Sequence, residues 1–322
     1  MELGYFLSSE EHGPNELVRT AKAAEDAGFG FAMISDHFHP WLDDQGQSPM
    51  VWPVIGGIAT ATDRLRLATA VTCPTIRIHP AIVAQAAATA AVMMDGRFLL
   101  GVGTGENLNE HILGDAWPSA DMRLEMLEEA IDVMRSLWEG GYTSHRGVHY
   151  LVENARLYTL PETPPPVLVA AAGEQAARLA ASVGDGLIGT APQAETIETY
   201  RSAGGSGPRY GKVTVCWAAD EGEARRTAHR AWRSAGVPGQ ASQELPLPMH
   251  FEQVSQLVTE DEVAKGITCG PDADRHLEAI AGYLRSGYDH VAVHQVGPDQ
   301  EGAIAFYRER IMPRLSELGA AA

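Results

Sequence analysis

The chain has 322 residues, a formal net charge of −18, 45% apolar residues and three cysteines. That acidity repels a phosphate backbone, no apolar run approaches the roughly 18 to 20 residues that cross a bilayer, and Cys73, Cys216 and Cys269 lie too far apart for a disulfide framework or a cysteine zinc site. Nucleic acid and membrane are therefore not expected partners, and an N-terminus with no basic segment ahead of a long apolar one gives the expectation of a soluble cytoplasmic protein.

Short apolar runs alternate with segments of helical spacing. "LGYFL" (3–7) precedes "ELVRTAKAAEDAG" (16–28), where Leu17, Val18, Ala21, Ala24 and Ala27 mark one face and Gly28 stops the helix. "FAMIS" (31–35) leads into a helix over 51–61, "LRLATAV" (65–71) into "PAIVAQAAATAAVM" (80–93), and "RFLLGVG" (97–103) into a long helix that Gly140 ends. A hairpin is expected next in "YTSHRGVHYLVENARLY" (142–158), turning at His145-Arg146-Gly147. The rhythm then resumes: "PVLVAAAG", "GLIGTA", "KVTVCWA" and "HVAVHQVG" each precede a helical segment.

Eight strand-helix units without a dividing linker predict a single domain over 1–322, a parallel sheet closed as a (β/α)8 TIM barrel, with a doubly wound open sheet as the competing arrangement. Insertions are expected after strands four and seven, the second from about Pro238 to Gly270, with "HFEQVSQLVTEDEVAKG" (250–266) as one helical segment.

Barrel sites form at the C-terminal ends of strands. At the end of the second stand Asp36, His37, His39 and Trp41, a dense group in which His37 can exchange a proton near neutral pH and Trp41 offers a flat face. The fourth ends in "GVGTGENLNE" (101–110), whose glycines permit close backbone approach and whose Thr104, Glu106 and Asn109 supply an acceptor, a carboxyl and an amide; its spacing is neither GxGxxG nor a P-loop. After the fifth, Ala172 and Gly173 open a helix and can present free N–H groups to a phosphate, or simply pack strand against helix. Arg77, after the third, either faces an anion or is a surface residue. His37 and His39 form an HxH pair, but the ends of strands five, six and eight supply only His294 and no carboxylate, so no metal is expected; no GxSxG elbow is present either.

The set "SDHFHPW", "LRLATAVTCPTIR", "GVGTGENLNE" and "VLVAAAGEQAARLA", in that order at the ends of strands two to five, resembles the bacterial luciferase-like superfamily. Within it the similarity is to the coenzyme F420 branch that includes glucose-6-phosphate and secondary alcohol dehydrogenases. The resemblance implies that His37 takes the substrate's hydroxyl proton, that Trp41 lies by the reacting centre and that Glu106 serves the N1 side of the deazaflavin. It implies cofactor contacts at Asp36, Thr104, Gly105 and Asn109, a phosphate turn at Ala171, Ala172 and Gly173, and a non-proline cis bond at Ala70-Val71 against the ring. Glu10, Thr190 and Gln193 would border the substrate. One departure concerns charge: Gln193 and Gly266 stand where sugar-phosphate members place cations, and "SQELPLPMHFEQ" (242–253) contains no lysine or arginine, which makes glucose 6-phosphate a doubtful substrate. The expectation is hydride transfer between F420 and an uncharged alcohol, hemiacetal, ketone or aldehyde by a homodimer. The alternatives are the glucose-6-phosphate reaction, an FMN-dependent monooxygenase and a non-catalytic deazaflavin-binding protein.

Overall fold

The computed structural model describes residues 1–237 and 240–319. Eight parallel strands close on themselves: β1 (Glu2–Leu7), β2 (Phe31–Ile34), β3 (Arg66–Thr69), β4 (Phe98–Val102), then, past the hairpin β5 (Thr143–Arg146) and β6 (Leu151–Ala155), β7 (Val167–Ala170), β8 (Gly186–Gly189), β9 (Arg209–Cys216) and β11 (His290–Gln295). The pairs Leu187↔Arg209 and Glu2↔His290 complete the circuit that an open sheet would leave broken. The arrangement is a (β/α)8 barrel, as the alternation of the sequence requires.

The helices follow from their patterning. α1 (Pro14–Ala27) starts on a proline, buries Leu17, Ala21, Ala24 and Ala27, and ends at Gly28, whose φ of 100° only glycine adopts without strain. α2 (Val51–Ala61), α3 (Pro80–Met93), a short α4 (Asn107–Glu110) and α5 (Ala120–Trp138) complete the first half, and α6 (Glu174–Val183), α7 (Ala194–Ser202) and α8 (Glu221–Trp232) continue the ring. The main core lies between strands and helices. A smaller one, Phe6, Phe31, Met33, Ala68, Leu99, Leu168, Ile188, Tyr210 and Ala292, fills the lumen and forms the floor on which the mouth is built.

Both expected insertions are present. The hairpin turns over residues 147–150, later than expected, because Glu129 of α5 accepts from the amides of Val148, His149 and Tyr150 and fixes the turn there. The expected start of the second insertion, Pro238 and Gly239, lies outside the described residues, as do residues 320–322 of the expected domain. The rest of the insertion forms α9 (Ala241–Glu244), α10 (Pro248–Val254), α11 (Glu260–Gly266) and β10 (Thr268–Cys269), which pairs with the upper end of β9. The expected single helical segment is broken between α10 and α11, where Thr259 and Glu262 cap each other and restart the helix. α12 (Ala273–Arg285) precedes β11, and α13 (Gln300–Phe306) and α14 (Leu315–Gly319) close the chain. The three cysteines are buried and free. Among the described residues no helix is long and apolar enough to cross a membrane.

Candidate active site

The loops after β1 and β2 are stitched together by serines. Ser9 donates from its amide to Ser35 Oγ and from its hydroxyl to the Ser35 carbonyl, both at 2.9 Å, which brings Glu10 over the end of β2. Ser35 Oγ donates to Glu10 Oε2 at 2.6 Å, and Glu10 Oε1 lies 3.4 Å from His37 Nε2. His37 Nδ1 stands 3.2 Å from the His39 carbonyl, which can only accept, so Nδ1 is the donor there and Nε2 is the nitrogen turned to Glu10. Burial works against ionisation of Glu10, but the neighbouring His37 and the Ser35 hydrogen bond outweigh it and hold the carboxyl below its ordinary pKa. A proton accepted at His37 Nε2 therefore meets an ionised carboxylate. Trp41 packs 5.0 Å from the His37 ring and is braced edge-on by Phe251 of α10 at 5.2 Å.

From β4 the loop carries Thr104, Gly105 and Glu106, all half-buried at the mouth. Gly101 is required by the protein itself, since a Cβ there would lie 1.9 Å from the Thr69 carbonyl; the close approach is strand to strand. Gly105 has φ +79°, and a Cβ on it would meet Cys73 Sγ at 2.6 Å. The Ala70-Val71 peptide is cis.

Two expected cofactor contacts are already engaged. Asn109 Oδ1 accepts from the amides of Phe38 and His39 at 2.9 and 3.1 Å, which clamps the loop carrying His37. Asp36 accepts from Thr72 Oγ1 at 2.7 Å and pairs with Arg77 at 2.9 Å. Arg77 also pairs with Glu110 and is nearly buried, so it neither faces a ligand nor sits on the surface. Both Asp36 and Asn109 hold the frame of the site.

Ala171 is buried at the top of β7, donating to the Ile188 carbonyl, while Ala172 and Gly173 are exposed. A cavity of about 500 Å³ opens there, lined by Ala172, Gly173, Gln193 and Thr196 among others, with the N-termini of α6 and α7 both free of side-chain caps. Uncapped helix termini of this kind can offer backbone amides to an anion. Gln193 is exposed with Oε1 accepting from Thr196, and Thr190 is exposed with its carbonyl accepting from Tyr283; neither joins the group around His37.

The sequence reading missed Lys212 and Glu11 at the mouth. Lys212 reaches toward the Phe6 and Trp232 rings, at 4.9 and 5.9 Å from their centroids, and Glu11 pairs with His294 at 3.4 Å. The signal was parity: Tyr210, Lys212 and Thr214 alternate with Gly211, Val213 and Val215, so a lysine sharing the parity of a lumen tyrosine must point inward.

The donor set fits a deazaflavin: a carboxyl at Glu106, a half-buried hydroxyl at Thr104, the backbone step at Ala70-Val71, and helix-terminal amides for the phosphate of its tail. Among the described residues no three His, Cys, Asp or Glu side chains gather as a metal site.

The sequence matches the luciferase-like monooxygenase family model over residues 1–290. It is 34% identical over 328 residues to a protein of Microbacterium testaceum (strain StLB037) named F420-dependent glucose-6-phosphate dehydrogenase, with 98% of this chain and 97% of that one covered. A protein of the same name from Nakamurella multipartita is also 34% identical, covering 99% and 97%. Among solved structures, an F420-dependent secondary alcohol dehydrogenase in complex with an F420-acetone adduct superposes with a TM-score of 0.90 at 31% identity over 98% of each chain. The barrel, the mouth and these matches agree: this chain belongs to the luciferase-like family.

Proposed function

We propose that this F420-dependent oxidoreductase moves a hydride between C5 of the deazaflavin and the carbon of an alcohol, hemiacetal, ketone or aldehyde, with a non-phosphorylated sugar or a secondary alcohol or ketone as substrate. The observation that carries it is the His37–Glu10 couple, an imidazole nitrogen 3.4 Å from a carboxyl whose pKa is held below its ordinary value. Coenzyme F420, when bound, supplies the two-electron hydride acceptor or donor. His37 Nε2 takes the hydroxyl proton as the alcohol is oxidised, and Glu10 stabilises the imidazolium that results. Glu106 would serve the N1 side of the cofactor, Thr104 and Gly105 would contact it, Ala70 and Val71 would offer it a backbone platform, and Ala172 and Gly173, above the buried Ala171 whose amide is engaged with Ile188, would receive its phosphate. Trp41, braced by Phe251, keeps water from the reacting centre.

Charge favours an unphosphorylated substrate. Gln193 is neutral, and Lys265 is exposed beside Gly266. A substrate phosphate dianion would meet no cationic side chain at Gln193 or Gly266. The relatives named for glucose 6-phosphate make that sugar the second candidate. A cytoplasmic homodimer with no nucleic-acid or membrane partner completes the proposal, supported by the net charge of −18 and by Ile82, Val92 and Met93, which stand exposed on the otherwise apolar α3.

Titration with F420 and with FMN tests the cofactor, and steady-state assays with sugars and secondary alcohols test the chemistry. F420 is expected to bind and FMN not. His37→Ala should keep F420 affinity and lose about 10² to 10⁴ in turnover. Tight FMN binding without F420 binding, or F420 bound with no hydride exchange to any alcohol or carbonyl, would contradict the proposal.

A further inference from the structure

Two carboxylate-imidazole couples leave one loop. Glu10 turns to His37 and its neighbour Glu11 turns to His294 on β11, each at 3.4 Å. Proton transfer at His37 absorbs the first couple and leaves the second without a role. His294 is fully buried between the rings of Phe6 and Trp232, at 4.9 and 4.6 Å, and its Nδ1 has no hydrogen-bond partner among the described residues. Burial, followed by the charge of Lys212, drives its pKa far below the ordinary value, so His294 is neutral. Glu11 accepts from the Gly297 amide at 2.9 Å, and burial pushes its pKa up to about 7.

The same two rings bracket Lys212. Its ammonium is half-buried at the mouth and, among the described residues, makes no hydrogen bond and no ion pair; its only close contacts of note are the faces of Phe6 and Trp232. An ammonium has three N–H donors, and aromatic faces satisfy none of them as an oxygen does. Groups of this kind in protein interiors are completed by a partner. Burial lowers the Lys212 pKa, and the carboxyls whose fields oppose that shift are Glu10, Glu106 and Glu11. Glu10 is engaged with His37 and Ser35, and Glu11 with Gly297 and His294.

Building on the hydride-transfer reading, we propose that Lys212 is a specificity-determining residue that donates to a substrate oxygen other than the reacting one, so that the enzyme takes a neutral polyhydroxylated carbon chain, a sugar, in preference to a simple secondary alcohol. Neutrality follows from the surroundings. One ammonium among three carboxyls and an uncharged His294 does not offset a phosphate dianion, whereas a polyol accepts from Lys212 and donates to the carboxylates around it. The Phe6 and Trp232 rings supply the apolar wall against which the carbon skeleton of a sugar packs.

The test compares the F420-loaded wild type with Lys212→Met and Lys212→Arg, using glucose, glucose 6-phosphate and propan-2-ol. Calorimetric titration of glucose into the loaded protein gives a readout independent of turnover. Lys212→Met should weaken glucose binding by at least about 10-fold and lower kcat/KM for glucose by roughly 10²-fold, mainly through KM. Turnover of propan-2-ol should stay within about 3-fold and F420 affinity within about 2-fold, and Lys212→Arg should recover part of the loss on glucose. Should Lys212→Met fail to fold, Lys212→Arg carries the test, with KM raised for glucose and unchanged for propan-2-ol. Equal losses on glucose and propan-2-ol, or no loss on either, would overturn the assignment alone. A wild type that prefers glucose 6-phosphate would overturn the neutral-substrate claim. A wild type that binds F420 and oxidises none of the three would overturn the hydride-transfer reading and the assignment with it.

Discussion

Glu10 and Glu11 share a loop and titrate in opposite directions because their partners differ. Glu10 has His37 and a serine hydroxyl to stabilise its charge, whereas Glu11 is buried with one amide and a neutral imidazole. Glu11 holds its proton more tightly folded, with a pKa of about 7, than at its ordinary value of 4.5, so the native state binds more protons than the unfolded chain between those pH values. Stability therefore falls as pH rises through that window, by on the order of 3 kcal/mol if the unfolded value is ordinary. Glu11→Gln keeps the acceptor for Gly297 and removes the titration. Melting temperatures of the variant and wild type should converge near pH 4.5 and diverge in the variant's favour by pH 8; a constant difference across pH would rule out Glu11 as the titrating group. His37 and Trp41 were legible because unlike, chemistry-bearing residues crowd the end of one apolar strand. Lys212 and Glu11 were not. Their inward direction depends on strand parity and on how far β1 runs, which a single sequence fixes poorly. For Asp36 and Asn109 the resemblance pointed to the cofactor, and the geometry shows their oxygens engaged by Arg77, Thr72 and the 38–39 amides.

At the scale of elements, the second insertion braces the site. Phe251 of α10 is fully buried, packs with Leu42 and Leu108, and meets Trp41 edge-on. Phe251→Ala removes that support and leaves a cavity, at a cost of about 3 to 5 kcal/mol. Chemical denaturation should show that loss, and the bound substrate should be held less firmly, raising KM. A variant of wild-type stability would mean that α10 does not bear on Trp41. The break between α10 and α11 was present in the sequence as Thr259 and Glu262 at capping-box spacing, but apolar periodicity runs through 250–266 and concealed it. The hairpin position was likewise hidden, because Glu129 lies in a helix distant in sequence from the turn it anchors.

The whole molecule was the most legible level, because eight alternations of period-2 runs and helical spacing leave few topologies once parallel pairing is imposed. Closure between β8 and β9 and between β11 and β1 needed the structure, since no local signal distinguishes an edge strand from a closed one. α3 is the exposed anomaly: a surface helix with Ile82, Val92 and Met93 facing outward. Light scattering at micromolar concentration should give twice the chain mass, and Ile82→Glu with Met93→Glu should give the single chain; a monomeric wild type would refute the dimer. The most direct test of the catalytic claim follows the hydrogen itself, by incubating protein and F420 with an alcohol deuterated at its carbinol carbon and locating the label by NMR. Deuterium at C5 of the reduced cofactor in the wild type, and slowed by about 10² to 10⁴ in His37→Ala, is the expected result. Protium at C5, or unchanged transfer in His37→Ala, would contradict it.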